Sequence, residues 1–460
     1  MTIAADPAVE VSARTMFDRW LDRFGHAMSS LDHAGAVRCI AADGFWKDAL
    51  AFTWSYRTFA GREAIDAAMA QRLPGIAPRD FRVSAFHDDP ILLDRIGMMV
   101  VEGFFDFDTG VGTCTGFVRI LAEQVEPAEP VAMLVLTSLN ELRGSEEKVG
   151  KRRPTGLEYS YNFAGDNWLD QRTKARSYRD REPEVVIVGG GQSGLALAAV
   201  CGQMGLDTLV VERNGRIGDN WRHRYHSLTL HNEVYSNDLP YLPFPPTWPT
   251  FVPKDKFANW LECYAEAMEL NVWTGTEVVS GDYHDAERRW TLQVRQADGT
   301  RRAVRARHVV MAGGSASSTP NVPEMAGLAE FGGTVIHSHA YADGRKYAGD
   351  RVLVVGTGNS GHDVAQDLYC NGAGAVTMMQ RRPTYVLSLI PGAVAIYAPY
   401  AQGQPIDDVD LVWAASPYPM MVAAAQLVTR LTTERDKELL DGLHAIGFET
   451  DAGPDNTGLH

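Results

Sequence analysis

Gly189-Gly190-Gly191-Gln192-Ser193-Gly194 follows the apolar run Val185-Val186-Ile187-Val188, and the reading of this stretch decides the fold. The run has the length and β-branched character of a buried parallel strand, and the Gly-x-Gly-x-x-Gly pattern fits the turn from such a strand into a helix. That turn lets backbone N–H groups at the helix N-terminus approach a pyrophosphate. A second copy, Gly356-Thr357-Gly358-Asn359-Ser360-Gly361, follows Val352-Leu353-Val354-Val355. One such turn also closes ordinary βα units. Two, each between a strand and a helix, predict an α/β fold with two Rossmann-like domains, each binding a dinucleotide.

Residues further along distinguish the two nucleotides. The strand Thr208-Leu209-Val210-Val211 ends at Glu212. A carboxylate there accepts hydrogen bonds from ribose hydroxyls and repels a 2′-phosphate, which suits FAD or NAD. After the second turn, Ala375-Val376-Thr377-Met378-Met379 leads to Gln380-Arg381-Arg382. The acid is replaced by two guanidinium groups, which bind phosphate oxygens bidentately, so this site is expected to take NADPH.

Between the turns, Phe331-Gly332-Gly333-Thr334-Val335-Ile336-His337-Ser338-His339-Ala340-Tyr341 reads FxGxxxHxxxY. With this pattern the chain resembles the flavin-containing monooxygenases, single-component and NADPH-dependent. Arg216-Ile217-Gly218-Asp219-Asn220-Trp221 is similar to the family's Gly-x-x-Trp segment beside the flavin. Arg224 to His231 and Leu239 to Pro245 resemble segments of its bacterial and fungal members, and Met311-Ala312-Gly313-Gly314 resembles its interdomain hinge. The match runs from about Asn167 to the C-terminus. The related Baeyer–Villiger pattern usually has Trp at the position of Tyr341, so oxygenation of nitrogen or sulfur is favoured.

The resemblance implies FAD contacts at Gly189, Gly191, Gln192, Ser193, Gly194, Glu212, Arg213, Asn220, Trp221, Ser227 and Leu228. It implies NADPH contacts at Gly356, Gly358, Asn359, Ser360, Gly361, Arg381 and Arg382. It also implies a reaction in which NADPH reduces FAD and the reduced flavin captures O2 as a hydroperoxide. One oxygen atom then passes to a small organic substrate, in a dry pocket that the protein supplies. Some relatives hold the reactive flavin edge with an Asn, and His231 or Asn232 stands at that position. His337 belongs to the fingerprint, either in the chemistry or as a brace of the interdomain segment.

Bulk properties agree. The 43 basic and 58 acidic residues give a formal charge of −15, which disfavours nucleic acid or an anionic membrane as main partner. Cys39, Cys114, Cys201, Cys263 and Cys370 are far apart, with no CxxC and no metal-ligand spacing. They read as free thiols of a cytoplasmic protein, and a two-nucleotide disulfide reductase would need a redox pair. The apolar stretch Val412 to Val428 is interrupted by Pro417 and Pro419 and falls short of a membrane span.

Residues 1–145 read as a separate α+β domain. Phe17, Trp20, Leu21, Phe24, Met28 and Leu31 recur at helical spacing and predict one apolar face. Strand-length runs follow at Ile96 to Phe107, Thr113 to Leu121 and Val131 to Leu136, as an antiparallel meander. Trp46 to Trp54 with Phe59-Ala60-Gly61-Arg62 resembles the SnoaL-like, nuclear-transport-factor-like cone fold. Such cones enclose pockets, so His26, Asp48, Trp54, Tyr56 and Arg57 are weighed as a site; a structural His26, with the domain pairing subunits as a homodimer or covering the flavin domain, is preferred. A linker is expected over 146–180, the first part of the FAD domain over 181–315, the NADPH domain over 316–390 and a helical, substrate-side segment over 391–460. Relatives continue for well over a hundred residues beyond Gly447-Phe448, returning to the FAD domain. The chain as given is therefore expected to hold FAD weakly and to oxidise NADPH without coupling, or to be non-catalytic.

Overall fold

The computed structural model describes residues 7–122, 129–159, 163–314 and 320–458; Leu459 and His460, the last of the sequence, lie outside them, as do 160–162 of the expected linker. The chain divides into two units, one of 1–146, 398–431 and 454–460, the other of 147–397 and 432–453.

The first unit begins with helices α1 (Pro7–Ser29) and α2 (His33–Arg38). Then come β1 (Ile40–Ala49), β2 (Tyr56–Ala60), α3 (Gly61–Ile76), β3 (Arg79–Val83), β4 (Ile91–Asp94), β5 (Met99–Asp108), β6 (Gly112–Leu121) and β7 (Ala132–Leu142). The sheet order is β2-β1-β7-β6-β5-β3, with β4 also on β5. β5, β6 and β7 are the expected meander, and β1 joins β7 in parallel. Ile96 is not in a strand: it sits at φ +60° in the turn between β4 and β5. Because side chains alternate across a strand, Phe105 and Phe107 face the helices, where Phe17, Trp20, Leu21, Phe24 and Met28 are buried. Trp20 stacks on Phe24 with ring centroids 4.7 Å apart, and its indole N–H donates to Cys39 O. Leu31 departs from the expected face. The helix has ended at Ser29, and Leu31 turns outward at φ +60°.

The residues weighed as an N-terminal site do not assemble. Trp54 and Tyr56 are 54% and 67% exposed, and His26 and Arg57 are exposed too. Asp48 is fully buried, and its carboxylate accepts from Phe52 N, Thr53 N, Thr53 Oγ1 at 2.7 Å and Thr137 Oγ1 at 2.8 Å. It ties the loop after β1 to β7. Hydrogen bonds to a charged group stabilise by roughly 1.5–3 kcal/mol each. Asp48→Ala should therefore lower stability by about 3 kcal/mol in denaturant titration while leaving nucleotide binding intact.

The second unit begins with α4 (Gly156–Tyr159) and α5 (Trp168–Ser177), inside the stretch expected as a linker. Asn167 and Asp170 form a capping box on α5. Tyr178, just beyond, is buried and donates to Asp207 Oδ1 at 2.6 Å. Then follow β8 (Val185–Val188), α6 (Gln192–Gln203), β9 (Thr208–Val211), α7 (Asp219–Arg222), α8 (Lys254–Ala267) and β10 (Asn271–Trp273). β11 (Glu277–His284), β12 (Arg289–Arg295) and β13 (Arg301–Ala306) form an antiparallel sheet, and β14 (His308–Met311) returns beside β8. The resulting parallel sheet has the order β10-β9-β8-β14, with Leu195, Ala198, Leu261 and Tyr264 of α6 and α8 buried against one face. The second glycine turn lies in a βαβ unit of the described residues: β15 (Arg351–Val355), α9 (Asn359–Cys370) and β16 (Ala375–Met379), its two strands parallel.

Helices α10 (Val394–Ile396), α11 (Ile406–Ala415), α12 (Tyr418–Arg435) and α13 (Lys437–Ala445) follow. α11 and α12 meet at 112° across the break that contains Pro417. Among the described residues no single helix is long and apolar enough to cross a membrane, although this bent pair passes on length and composition. Within the first unit, Ala415, Leu411 and Val412 of α11 pack on Phe104, Phe117, Leu134 and Leu136.

Candidate functional site

Both glycine turns have the same construction. Gly189 and Gly356 take φ of +117° and +109°, which an L side chain rarely adopts. A Cβ at Gly194 would lie 2.0 Å from Gly189 O, and one at Gly361 2.5 Å from Gly356 O. These four glycines are needed by the strand–turn–helix packing itself. The middle glycines differ. A Cβ on Gly191 would meet only Asn220 Nδ2 at 3.7 Å, and one on Gly358 nothing within 4 Å. Gly191 and Gly358 are the N-caps of α6 and α9, so each helix offers its unpaired N–H groups beside open space. That is the cradle a pyrophosphate requires, and the residues present fit one at each turn.

Glu212 follows β9 and is buried. Its Oε2 accepts from Gly190 N at 2.7 Å, and its Oε1 from Asn214 N and Nδ2, each at 2.8 Å. The carboxylate therefore braces the first turn. Arg213 beside it is exposed, as are Arg381 and Arg382 after β16.

A cleft of about 590 Å³ draws the two motifs together. Gln192 and Ser193 of α6 and Asn359 and Ser360 of α9 line it, with Trp221, Leu228, His231 and Asn232. Ser227 is exposed and is not among its lining residues. Trp221 lies edge-on to Phe257. The two residues at the position for a flavin-edge contact are engaged differently. Asn232 spends its amide hydrogens on Ser236 Oγ at 3.1 Å and Asn237 Oδ1 at 2.6 Å. His231 sets Nε2 3.2 Å from Asp363 Oδ2. That hydrogen bond raises the His231 pKa above the ordinary histidine value, against the opposing effect of burial.

His337 is not brought to the cleft. It caps a short turn over 338–340, its ring accepting from His339 N at 3.0 Å. Tyr341 at the end of the fingerprint is buried; its hydroxyl donates to Asp367 Oδ2 at 2.6 Å, which also accepts from Gly344 N. Burial and that carboxylate push its phenol pKa up. One turn earlier on α9, Asp363 accepts the Tyr225 hydroxyl. Asp363 and Asp367 escaped the sequence reading, and Tyr225 entered it only within the segment Arg224 to His231; the available signal was two acids four residues apart on the helix that follows a glycine turn.

Residues 186–388 match the family model described as pyridine nucleotide-disulphide oxidoreductase. The chain is 38% identical over 206 residues to rice (Oryza sativa subsp. japonica) indole-3-pyruvate monooxygenase YUCCA1, which covers 45% of this chain and 49% of that protein. It is 39% identical over 217 residues to YUCCA4 of the same plant, again 45% and 49%. The alignment thus spans about half the length of these relatives. A solved structure, the flavin-containing monooxygenase of Stenotrophomonas maltophilia, is 25% identical, covering 51% of this chain and 69% of that one with a TM-score of 0.41. The five cysteines are free, and none is among the residues that line the cleft. The chain is thus similar, over less than half of its length, to pyridine nucleotide oxidoreductases and to plant monooxygenases.

Proposed function

We propose that the chain is an NADPH-dependent flavoprotein monooxygenase that transfers one oxygen atom of O2 to a small organic substrate, nitrogen or sulfur being the favoured acceptor. The observation that carries this reading is the cleft itself, where the N-terminal residues of α6 and α9 converge, each beside a glycine with open space over it. Gly189, Gly191, Gln192, Ser193 and Gly194 would hold the FAD pyrophosphate and Glu212 its ribose, with Asn220 and Trp221 alongside. Gly356, Gly358, Asn359, Ser360 and Gly361 would hold NADPH, and Arg381 and Arg382 its 2′-phosphate. Bound FAD supplies the electron transfer to O2.

The protein's own part is orientation and exclusion of water. Trp221, Leu228, Leu230 and Phe257 give the cleft an apolar wall, which strengthens every polar interaction inside it. His231 rather than Asn232 is the hydrogen-bond donor offered to a ligand in the cleft, because the Asn232 amide hydrogens are already spent. The α+β unit that begins the chain is a cone-like accessory domain, and subunit pairing is its proposed role.

A second acceptor class has its own support. The curated relatives are named for an aromatic 2-oxo acid, indole-3-pyruvate. One experiment tests both. Purified protein is reconstituted with FAD, and NADPH-dependent oxygen uptake is followed with amines, sulfides, ketones and aromatic 2-oxo acids, with peroxide measured alongside. Substrate-stimulated uptake with little peroxide is the expected result. Peroxide equal to the NADPH consumed for every compound would support an uncoupled oxidase, and no flavin spectrum at all would support a non-catalytic protein.

A further inference from the structure

His231 on the cleft wall pairs with Asp363, which lies just beyond the second glycine turn. His231 belongs to the segment after α7, and Asp363 to the first turns of α9. Asp363 Oδ2 is 3.2 Å from His231 Nε2 and also accepts the Tyr225 hydroxyl. Burial works against its charge, but these hydrogen bonds hold its carboxyl below the ordinary range. With Nε2 committed to Asp363, the second ring nitrogen of His231 is the one left to a ligand. The other charged or titratable groups lining the cleft with the ring are Arg224, Tyr225 and Asp238, and His362 acts on Asp363. Arg224 and Asp238 both line the cleft, and Asp238 commits Oδ1 to Phe244 N at 2.7 Å.

We propose that Asp363 is the positioning residue for His231, and that the pair holds a cationic N–H donor on the cleft wall for an anionic oxygen of a coenzyme phosphate or a substrate carboxylate. The inference rests on the cleft being the reaction site. A half-buried carboxylate against one imidazole edge fixes both the ring's orientation and its charge. The sign follows from the direction of the His231 shift. The charged ring, and the anion binding that depends on it, is fully present at low pH and is lost as pH rises through the raised pKa.

Three proteins test this: the native chain, Asp363→Asn and His231→Gln. The His231 titration is followed by NMR of 15N-histidine-labelled protein. Binding of NADP⁺, phenylpyruvate and its carboxylate-free analogue phenylacetone is measured at pH 6 and pH 8. In Asp363→Asn the titration should fall toward the ordinary value of roughly 6.5. Anion binding should match the native chain at pH 6 and be roughly tenfold weaker at pH 8, the loss expected for one charge-assisted hydrogen bond. His231→Gln should weaken it at both pH values, and it serves alone if Asp363→Asn fails to fold. A loss confined to NADP⁺ identifies a phosphate as the ligand group; a loss for phenylpyruvate but not phenylacetone identifies a carboxylate. An unmoved titration, equal losses at the two pH values in Asp363→Asn, or native anion binding by His231→Gln would overturn the proposal. None of these readouts needs turnover, so failure of the monooxygenase reading would appear separately, as absent oxygen uptake.

Discussion

Replacing Gly191 with valine should give a folded protein that no longer retains FAD. Gly191 has φ −81° and ψ −178°, extended backbone that valine adopts without strain. Its new Cβ would meet only Asn220 Nδ2, at an ordinary contact distance of 3.7 Å. The helix loses a modest N-cap preference, roughly 1 kcal/mol or less. The isopropyl group, however, would fill the space over the N-terminus of α6 that a pyrophosphate needs. Each charge-assisted hydrogen bond forfeited there is worth roughly 1.5–3 kcal/mol. Losing two of them should weaken FAD by about a hundredfold or more.

The comparison variant is Gly194→Ala. Its Cβ would fall 2.0 Å from the carbonyl oxygen of Gly189, backbone against backbone, so the turn itself must shift. That variant should lose flavin and thermal stability together, whereas Gly191→Val loses flavin alone. Flavin absorbance after gel filtration and a melting curve by circular dichroism read both quantities. Yellow Gly191→Val protein with native flavin content would remove FAD from this turn.

The βα turns were legible because their signal is local. Four apolar residues, a glycine at positive φ and a helix with small residues in its first turn are all written within a dozen positions. The residues that organise the cleft were not legible for the opposite reason. Asp363 and Asp367 look like the solvated face of a helix until Tyr225 and Tyr341 are brought to them from distant segments. α5 has no buried residue, so no apolar period marks it, and its capping box was the only cue. β11 is exposed along most of its length, which removes the alternation by which a strand is recognised. Leu31 shows the converse error. It continues the helical period of α1 in sequence, but the chain has already turned away at Ser29.

Arg381→Ala with Arg382→Ala should weaken NADPH far more than NADH. The units that carry the two glycine turns present corresponding positions with opposite charge: β9 leads to the buried Glu212, and β16 leads through Gln380 to two exposed guanidinium groups. A carboxylate at that place repels a 2′-phosphate, while arginine binds it bidentately. Gln380 itself is tied to backbone, donating to Glu449 O at 3.0 Å and accepting from Glu449 N at 2.6 Å. The loop that carries the arginines therefore keeps an anchor when their side chains are truncated. Two charge-assisted contacts at roughly 1.5–3 kcal/mol each set the upper range of the loss. Exposure and salt screening pull it toward the lower end, so the expected change in NADPH affinity is about tenfold to a hundredfold at low ionic strength. NADH, which lacks the phosphate, should change by less than about threefold, within the range of minor surface effects. Dissociation constants for both coenzymes, at two salt concentrations, decide the matter. Equal weakening of NADPH and NADH would mean that these arginines act on the loop or on a part shared by both coenzymes, and would withdraw the 2′-phosphate assignment from them.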